Sequence, residues 1–355
     1  MEEEAIMDAQ KKTGCMQGCL LSVAIFIASV FGILILFSVA LNGCVSRIGN
    51  PEMFDKADYS SPSDDCSDRY TEEWCAGVDS ENAAKVVRIR LSGVIGRDLG
   101  GSLFNAEGDA SSATGARNRI RAAKSDADVK AIILEVNSPG GDVTMSDLLW
   151  HELQEFKSSA PDRKVYAHLM DMACSGGYYV AVAADRIFAL PTSLTGSIGV
   201  MIPSFNMSEL AKKIGVEPVV IASSGNKDLL NPLAPKNPEH VAIMKKIVDD
   251  TYERFVEIVS NGRNLPKDIV RVFADGRVFA AKTALDNKLV DKIGYEKDLL
   301  DFVGKELGGE IKVVAYKTDF SLGDFFSADI AVRFADGIKR AVKSEISPTS
   351  SIQYR

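Results

Sequence analysis

The chain has 355 residues, enough for one large domain or two modest ones with a real core, and its hydrophobic (46%) and charged (25%) fractions are those of a globular protein. A formal net charge of −8 disfavours nucleic acid as the main partner, because phosphate recognition asks for a basic face. There is no Walker-type Gly-Lys-Ser/Thr loop and no Cys-x-x-Cys pair, and six cysteines in a chain this long do not make a disulfide framework.

The first predicted element is hydrophobic. No charged residue stands between Thr13 and Ser46, and Leu20 to Leu41 is almost wholly apolar. At about 1.5 Å per residue, that run makes roughly 33 Å of helix, which crosses a hydrocarbon core. A buried core helix would be shorter, and so would the apolar part of a cleaved signal peptide. Residues 1–19 are therefore expected as a cytoplasmic segment and 20–41 as a retained transmembrane helix in contact with membrane lipid. Lys11 and Lys12 before it, against Arg47 after it, lean toward an external (periplasmic-side) body, on two charges against one. Leu41-Asn42-Gly43-Cys44 faintly resembles a lipoprotein processing site, with an atypical Asn.

Residues 42–84, rich in Ser, Asp, Pro and Glu, read as a polar linker. Cys66 and Cys75 within it could pair in an oxidising space. Beyond it, Val86 to Ile95 alternates apolar and basic residues, as a half-buried strand does. Residues 113–125 look helical. Val129 to Val136 reads as a strand covered on both faces. Ser138 to Gly141 is a turn, and residues 145–157 place Met145, Leu149, Leu153 and Phe156 on one helical face. Lys164 to Leu169 is a strand, 176–184 a helix and Arg186 to Leu190 a strand. Helices are expected at 237–261, 266–274, 280–288 and 295–307, with a last strand at Ile311 to Tyr316. The alternation argues for an α/β domain over residues 85–318, followed by an extension and loose tail at 319–355.

Three glycine-bearing segments could carry chemistry. Asn137-Ser138-Pro139-Gly140-Gly141 follows a strand, and such a turn can aim backbone amides at an oxyanion, though it is commonly only a turn. Ser175 stands between a strand and Gly176-Gly177, where a hydroxyl serves as a nucleophile or merely caps the helix. Leu194 to Val200, with Gly196, Ser197 and Gly199, precedes Lys227, which with Asp228 beside it would ordinarily be a solvated surface residue. An amine serves as a base only when a fold keeps it neutral. The three histidines compete weakly: His151 sits in an amphipathic helix, His240 begins one, and His168 in a strand suits the core better than a Ser-His-Asp triad. Cys174 reads as a small core residue.

In order, these segments resemble the signal peptide peptidase A (protease IV) family of serine peptidases, in the fold group of Clp protease and crotonase. The resemblance runs over roughly Val86 to Gly294. It rests on Asn137 to Gly141, Asp171 with Cys174 to Tyr179, Leu194 to Val200, Ser224-Gly225 with Lys227-Asp228, and Ala274 to Phe279 with Ala284 and Leu289 to Gly294. It implies a domain of stacked β-sheets and helices, with Ser175 as nucleophile, Lys227 as general base, Ser197 orienting the lysine, Gly140 and the Gly176 amide as the oxyanion hole, and no cofactor or metal. It further implies remnant signal peptides and other hydrophobic peptides as substrates, and a homo-oligomeric ring or dome, octameric for a short member. The Leu-Leu-Asn-Pro after Lys227 and the Gly- and Ser-rich Leu99 to Gly115 depart from the family's pattern. A non-catalytic anchored scaffold and a crotonase-like acyl-CoA enzyme are the alternatives, the latter disfavoured by the anchor and the Ser-Lys pair.

Overall fold

A computed structural model describes residues 70–96, 112–318 and 353–354. The expected transmembrane helix at 20–41, Cys44 and Cys66 lie outside the described residues. Among the described residues no helix is long and apolar enough to cross a membrane.

The first strand, β1 (Tyr70–Gly77), lies inside the segment expected to be linker, and pairing begins there rather than near residue 85. Its acids disguise it: Glu72 and Glu73 point outward at a sheet edge and meet Lys85 and Lys317. Charged residues on an edge strand discourage edge-to-edge association. Trp74 stays half-exposed at 51%.

The alternating run becomes β2 (Ala84–Ser92) and leads to α1 (Ala113–Ser125), which is capped by the Ser112 hydroxyl accepting from the Gly115 amide. There follow β3 (Val129–Ser138), the two-residue β4 (Gly141–Asp142) and α2 (Val143–Ser158), whose first turn is capped by Asp142. Strand β5 (Lys164–Cys174) is longer than expected and runs without a break to the residue before Ser175. The short α3 (Gly176–Ala181) starts immediately after that serine, and β6 (Arg186–Ala189) and β7 (Leu194–Gly196) follow. The second half holds α4 (Ser208–Lys213), α5 (Pro238–Arg263), α6 (Lys267–Phe273), β8 (Val278–Ala280), α7 (Ala281–Asp286), β9 (Lys292–Ile293), α8 (Glu296–Glu306) and β10 (Ile311–Thr318). Last is β11 (Gln353–Tyr354), antiparallel to β4.

The main sheet runs β1-β10-β2-β3-β5-β6-β9, parallel except for β1 against β10. Its period-2 alternation sorts side chains to two faces. Val87, Ile89, Leu91, Ile132, Leu134 and Val136 belong to one buried cluster with residues of α1, α2, α3 and α5. Val86, Ala131, Ile133, Tyr166 and Phe188 belong to a second, with Leu299 and Val303 of α8. This is a mixed α/β sheet with helices on both faces. Each fully buried Leu or Ile contributes about 1.5–3 kcal/mol, so the two faces carry most of the stability. Helices α1 and α2 are also tied by Glu152, which accepts from Arg117 at 3.0 Å and Arg121 at 2.8 Å.

One detail positions the site. Strand β5 changes neighbours along its length: Tyr166–Leu169 pair with β6, while Met172–Cys174 pair with β7. Strand β7 in turn pairs antiparallel with β8. The end of β5 thus exchanges β6 for β7 on one side while Ala173 still pairs with Ser138 of β3 on the other, and it carries Ser175 to the carboxyl edge, where α/β sheets commonly place ligands.

Candidate active site

Ser175 is fully buried and has φ 52° and ψ −119°, a backbone conformation that L-residues avoid. Holding a non-glycine residue there costs on the order of 1–3 kcal/mol, and such strain persists only where the surroundings over-determine it. Here the Ser175 amide donates to the Gly196 carbonyl at 2.8 Å, and its carbonyl accepts from the Tyr179 amide at 2.9 Å. Helix α3 is itself pinned, with Tyr178 Oη donating to the Leu289 carbonyl at 2.8 Å and Tyr179 Oη to Asp147. The Ser175 side chain makes no cap bond, and its buried Oγ has no hydrogen-bond partner among the described residues. A buried hydroxyl without a partner is costly, so an N-cap role does not account for this serine.

The other glycine turns close on it. A Cβ at Gly176 would stand 3.4 Å from Gly140 Cα, 3.3 Å from the Gly141 nitrogen and 2.5 Å from Ser146 Oγ. The Asn137–Gly141 turn therefore packs directly against the residue that follows Ser175. Within that turn, the Gly140 amide donates to the fully buried Ser138 Oγ at 3.1 Å. The Gly140 carbonyl accepts from the Ile95 amide at 2.9 Å, and the Asp142 amide donates to the Ile95 carbonyl. Backbone groups alternate in direction along an extended chain, so the Gly141 amide and carbonyl are turned away from Ile95. Gly141 has φ 154°, and a Cβ there would lie 2.0 Å from the Ile95 carbonyl oxygen, which leaves glycine as the residue that fits. Sequence reading singled out Gly140; the signal for Gly141 and Ser138 lies in the direction of the amides, which spacing does not encode.

Ser197 arrives by the same route as Ser175. Strands β5 and β7 run side by side with Cys174 opposite Gly196, so the two serines leave paired strand ends. Ser197 also has positive φ, 50°, and its amide donates to the Arg277 carbonyl at 2.8 Å. Ser175, Ser197, Gly140 and Gly176 are thus brought together. Lys227 is not joined to them. It sits on an exposed 3-10 turn (Gly225–Asp228), and its side chain has no hydrogen-bond or ion-pair partner among the described residues. Asp228 binds Asn231 at 3.1 Å instead of the lysine. The turn is held by His240 Nε2, 3.1 Å from the Gly225 carbonyl, which makes His240 a positioning group for the lysine loop.

The remaining titratable neighbours do not supply a base. Ser175 follows the stretch of β5 beside β7, whereas His168, seven residues earlier on that strand, pairs in the stretch beside β6. It is buried against the Gly294 carbonyl at 3.4 Å, and burial holds its imidazole below the usual range despite that bond and nearby Glu135. Burial pushes the Cys174 thiol up to about 11, so it stays protonated at neutral pH and fits the core role expected of it. His151 is exposed. Among the described residues no group of three or more His, Cys, Asp or Glu side chains is placed to hold a metal ion.

Gly177 sets the tolerance of the site. An added Cβ would lie 2.9 Å from the Ser138 carbonyl oxygen and 3.3 Å from Ser138 Cβ, and a backbone oxygen cannot rotate aside. Gly177→Ala is expected to push α3 off the turn and to lower kcat/KM for a peptide substrate by about 10²-fold, the penalty typical of a misplacement near 1 Å. Steady-state kinetics beside a far-ultraviolet spectrum of the folded variant check this.

The family model described as Peptidase family S49 matches residues 157–308. A protein from Enterococcus faecium, named a candidate signal peptide peptidase SppA, is 35% identical over 236 residues, spanning 66% of this chain and 67% of its own. The Arabidopsis thaliana protein named serine protease SPPA, chloroplastic, is 33% identical over 223 residues, covering 62% of this chain and 32% of that one. Among solved structures, a point mutant of ClpP1 from Listeria monocytogenes is matched at a TM-score of 0.37 and 15% identity, over 61% of this chain and 93% of that one.

Proposed function

The chain belongs to peptidase family S49, and we propose that this serine peptidase works through a Ser-Lys pair in which Ser175 is the nucleophile and Lys227 the general base. The observation that carries the assignment of Ser175 is its buried, unpartnered Oγ on a strained backbone beside the Gly140–Gly141 turn. Neutral Lys227 Nζ takes the Oγ proton as Oγ attacks the peptide carbonyl carbon. The tetrahedral oxyanion is held by the Gly176 amide and an amide of the turn, and one such donor is typically worth about 3 kcal/mol. The Gly140 amide is engaged by Ser138, so the geometry favours Gly141 as the turn's donor. The lysine then gives its proton to the leaving amine, an acyl-enzyme remains, and water deprotonated by the same amine releases it. Ser197, leaving the strand beside Ser175, orients the lysine.

Lys227 reaches Ser175 from a neighbouring copy on this reading. The lysine loop belongs to a stretch whose apolar side chains face outward, with Phe205 81%, Val219 86% and Ile221 98% exposed. Apolar surface of this kind marks an interaction face, and covering it would strip water from the ammonium and favour the neutral amine. The assembly is proposed as a homo-oligomeric ring or dome, octameric for a chain of this type, with a Clp protease/crotonase-like core. The helix at 20–41 would anchor it with the catalytic body on the external side, where remnant signal peptides and other hydrophobic peptides are the substrates.

The test of the nucleophile is labelling with a serine-reactive phosphonate followed by peptide mapping. The expected result is one adduct on the peptide containing Ser175, absent from Ser175→Ala. An adduct at any other serine would remove Ser175 from the scheme.

A further inference from the structure

Strands β3 and β5 run parallel and in step from Ala131 opposite Lys164 to Val136 opposite Leu169, and the pairing resumes at Ser138 opposite Ala173. One residue of β3, Asn137, therefore faces three of β5: Met170, Asp171 and Met172. Extra residues on one strand form a bulge, a device found beside active sites because it re-aims the chain that follows. This bulge lies where β5 gives up β6, after Leu169, and takes β7, from Met172 onward. Backbone groups that fall out of a ladder need other partners. Asn137 supplies them with its side chain: Oδ1 accepts from the Met172 amide at 3.3 Å, and Nδ2 donates to Asp171 Oδ2 at 3.4 Å. The fully buried Ser193 hydroxyl holds the start of the bulge, 2.8 Å from the Leu169 carbonyl oxygen and in reach of that of Met170. The backbone of Asn137 is engaged elsewhere, pairing with Ser92 of β2 and accepting from the Gly93 amide at 3.0 Å.

Asn137 also opens the turn whose Gly140 and Gly141 stand against Gly176. One side chain thus joins that turn to the stretch of chain that reaches Ser175 three residues after Met172. We propose that Asn137 is a positioning residue: its carboxamide fastens the β5 bulge to the Gly140–Gly141 turn and so fixes where Ser175 Oγ stands relative to the amides of that turn. The proposal rests on the peptidase reading for its effect on rate, but not for the pairing itself. A carboxamide is the group that fits, because it offers an acceptor and a donor on one planar head. A carboxylate in its place keeps the acceptor and loses the donor.

The experiment exchanges the two ends of the Asn137–Asp171 bond. Asn137→Asp sets two carboxylates face to face and is expected to lower kcat for a fluorogenic peptide about tenfold or more, with KM changing less than about twofold, since a misplacement near 1 Å costs about 10²-fold. Adding Asp171→Asn returns a donor from the opposite strand. The double variant should recover to within about threefold of the wild-type kcat, a coupling that a side chain needed only for folding would not show. In parallel, amide hydrogen exchange is followed by mass spectrometry on the peptide spanning Met170 to Ser175. Exchange there should be about tenfold faster in Asn137→Asp, as expected for loss of one hydrogen bond, and should slow again in the double variant. If Asn137→Asp fails to fold, the double variant decides alone, since it should fold and hydrolyse as stated. Wild-type kcat or unchanged exchange in Asn137→Asp would overturn the proposal, and so would a double variant that recovers neither beside an active wild type. Absence of hydrolysis by the wild-type chain, with the exchange pattern as expected, would instead count against the peptidase reading alone.

Discussion

Lys227→Ala is expected to lower kcat for peptide hydrolysis by about 10³-fold, in the middle of the range for loss of a general base, with KM changing little. In free-energy terms that is about 4 kcal/mol of transition-state stabilisation. The expectation of an unchanged KM follows from where the lysine is. It stands on an exposed turn, and its side chain has no hydrogen-bond or ion-pair partner among the described residues. Lys227→Arg should not rescue the rate, because a guanidinium keeps its proton and cannot take another from Ser175. This separates a base from a positive charge that merely attracts substrate. His240→Ala belongs to the same comparison as an indirect case, since it loosens the turn at Gly225 without removing the amine. A Lys227→Ala protein that hydrolyses peptide and labels with phosphonate as fast as the wild type would remove the lysine from the scheme.

The fold was readable where side-chain period decides burial. Val87, Ile89 and Leu91 fall on one face of β2, as their alternation with Arg88 and Arg90 implies, and the unbroken apolar run of β3 is buried on both faces. Reading failed where tertiary pairing decides. Strand β1 is acidic and reads as spacer, yet its acids meet Lys85 of β2 and Lys317 of β10, and the strand it pairs with lies at the far end of the described domain. Strands β7, β8 and β9 have two or three residues each, too few for any period to show. At the site, the glycine-bearing segments that drew notice to Ser175 and Ser197 end on the paired strands β5 and β7, with Cys174 opposite Gly196. Spacing does not show that Ser138 takes the Gly140 amide or that Gly140 and Asp142, and not Gly141, bond Ile95, because amide direction depends on tertiary pairing. Nor does spacing show that Lys227 stands on an exposed 3-10 turn with no side-chain bond to Ser175 among the described residues.

That separation makes the second large effect a matter of counting. Ser175→Ala protein keeps its lysine and Lys227→Ala protein keeps its serine, and each alone should be inactive. If the pair forms within one chain, mixing them changes nothing. If each site takes its serine from one copy and its lysine from a neighbour, a mixed assembly contains competent pairings. At equal amounts and random placement, half the copies carry the serine and half of their lysine-donating neighbours carry the amine. About a quarter of the wild-type rate per chain should return once subunits are exchanged by dilution and reassembly, on the rule that a ring interface repeats the same contact. The recovered activity should label only the Lys227→Ala chains, since they alone hold Ser175. A double variant carrying both substitutions, mixed with wild type, should reduce activity below simple dilution, because each double-variant copy spoils its own site and one beside it. No recovery in a mixture that demonstrably exchanges subunits would break the shared-site reading. In that case Lys227 would have to reach Ser175 through a movement of the 3-10 turn within its own chain.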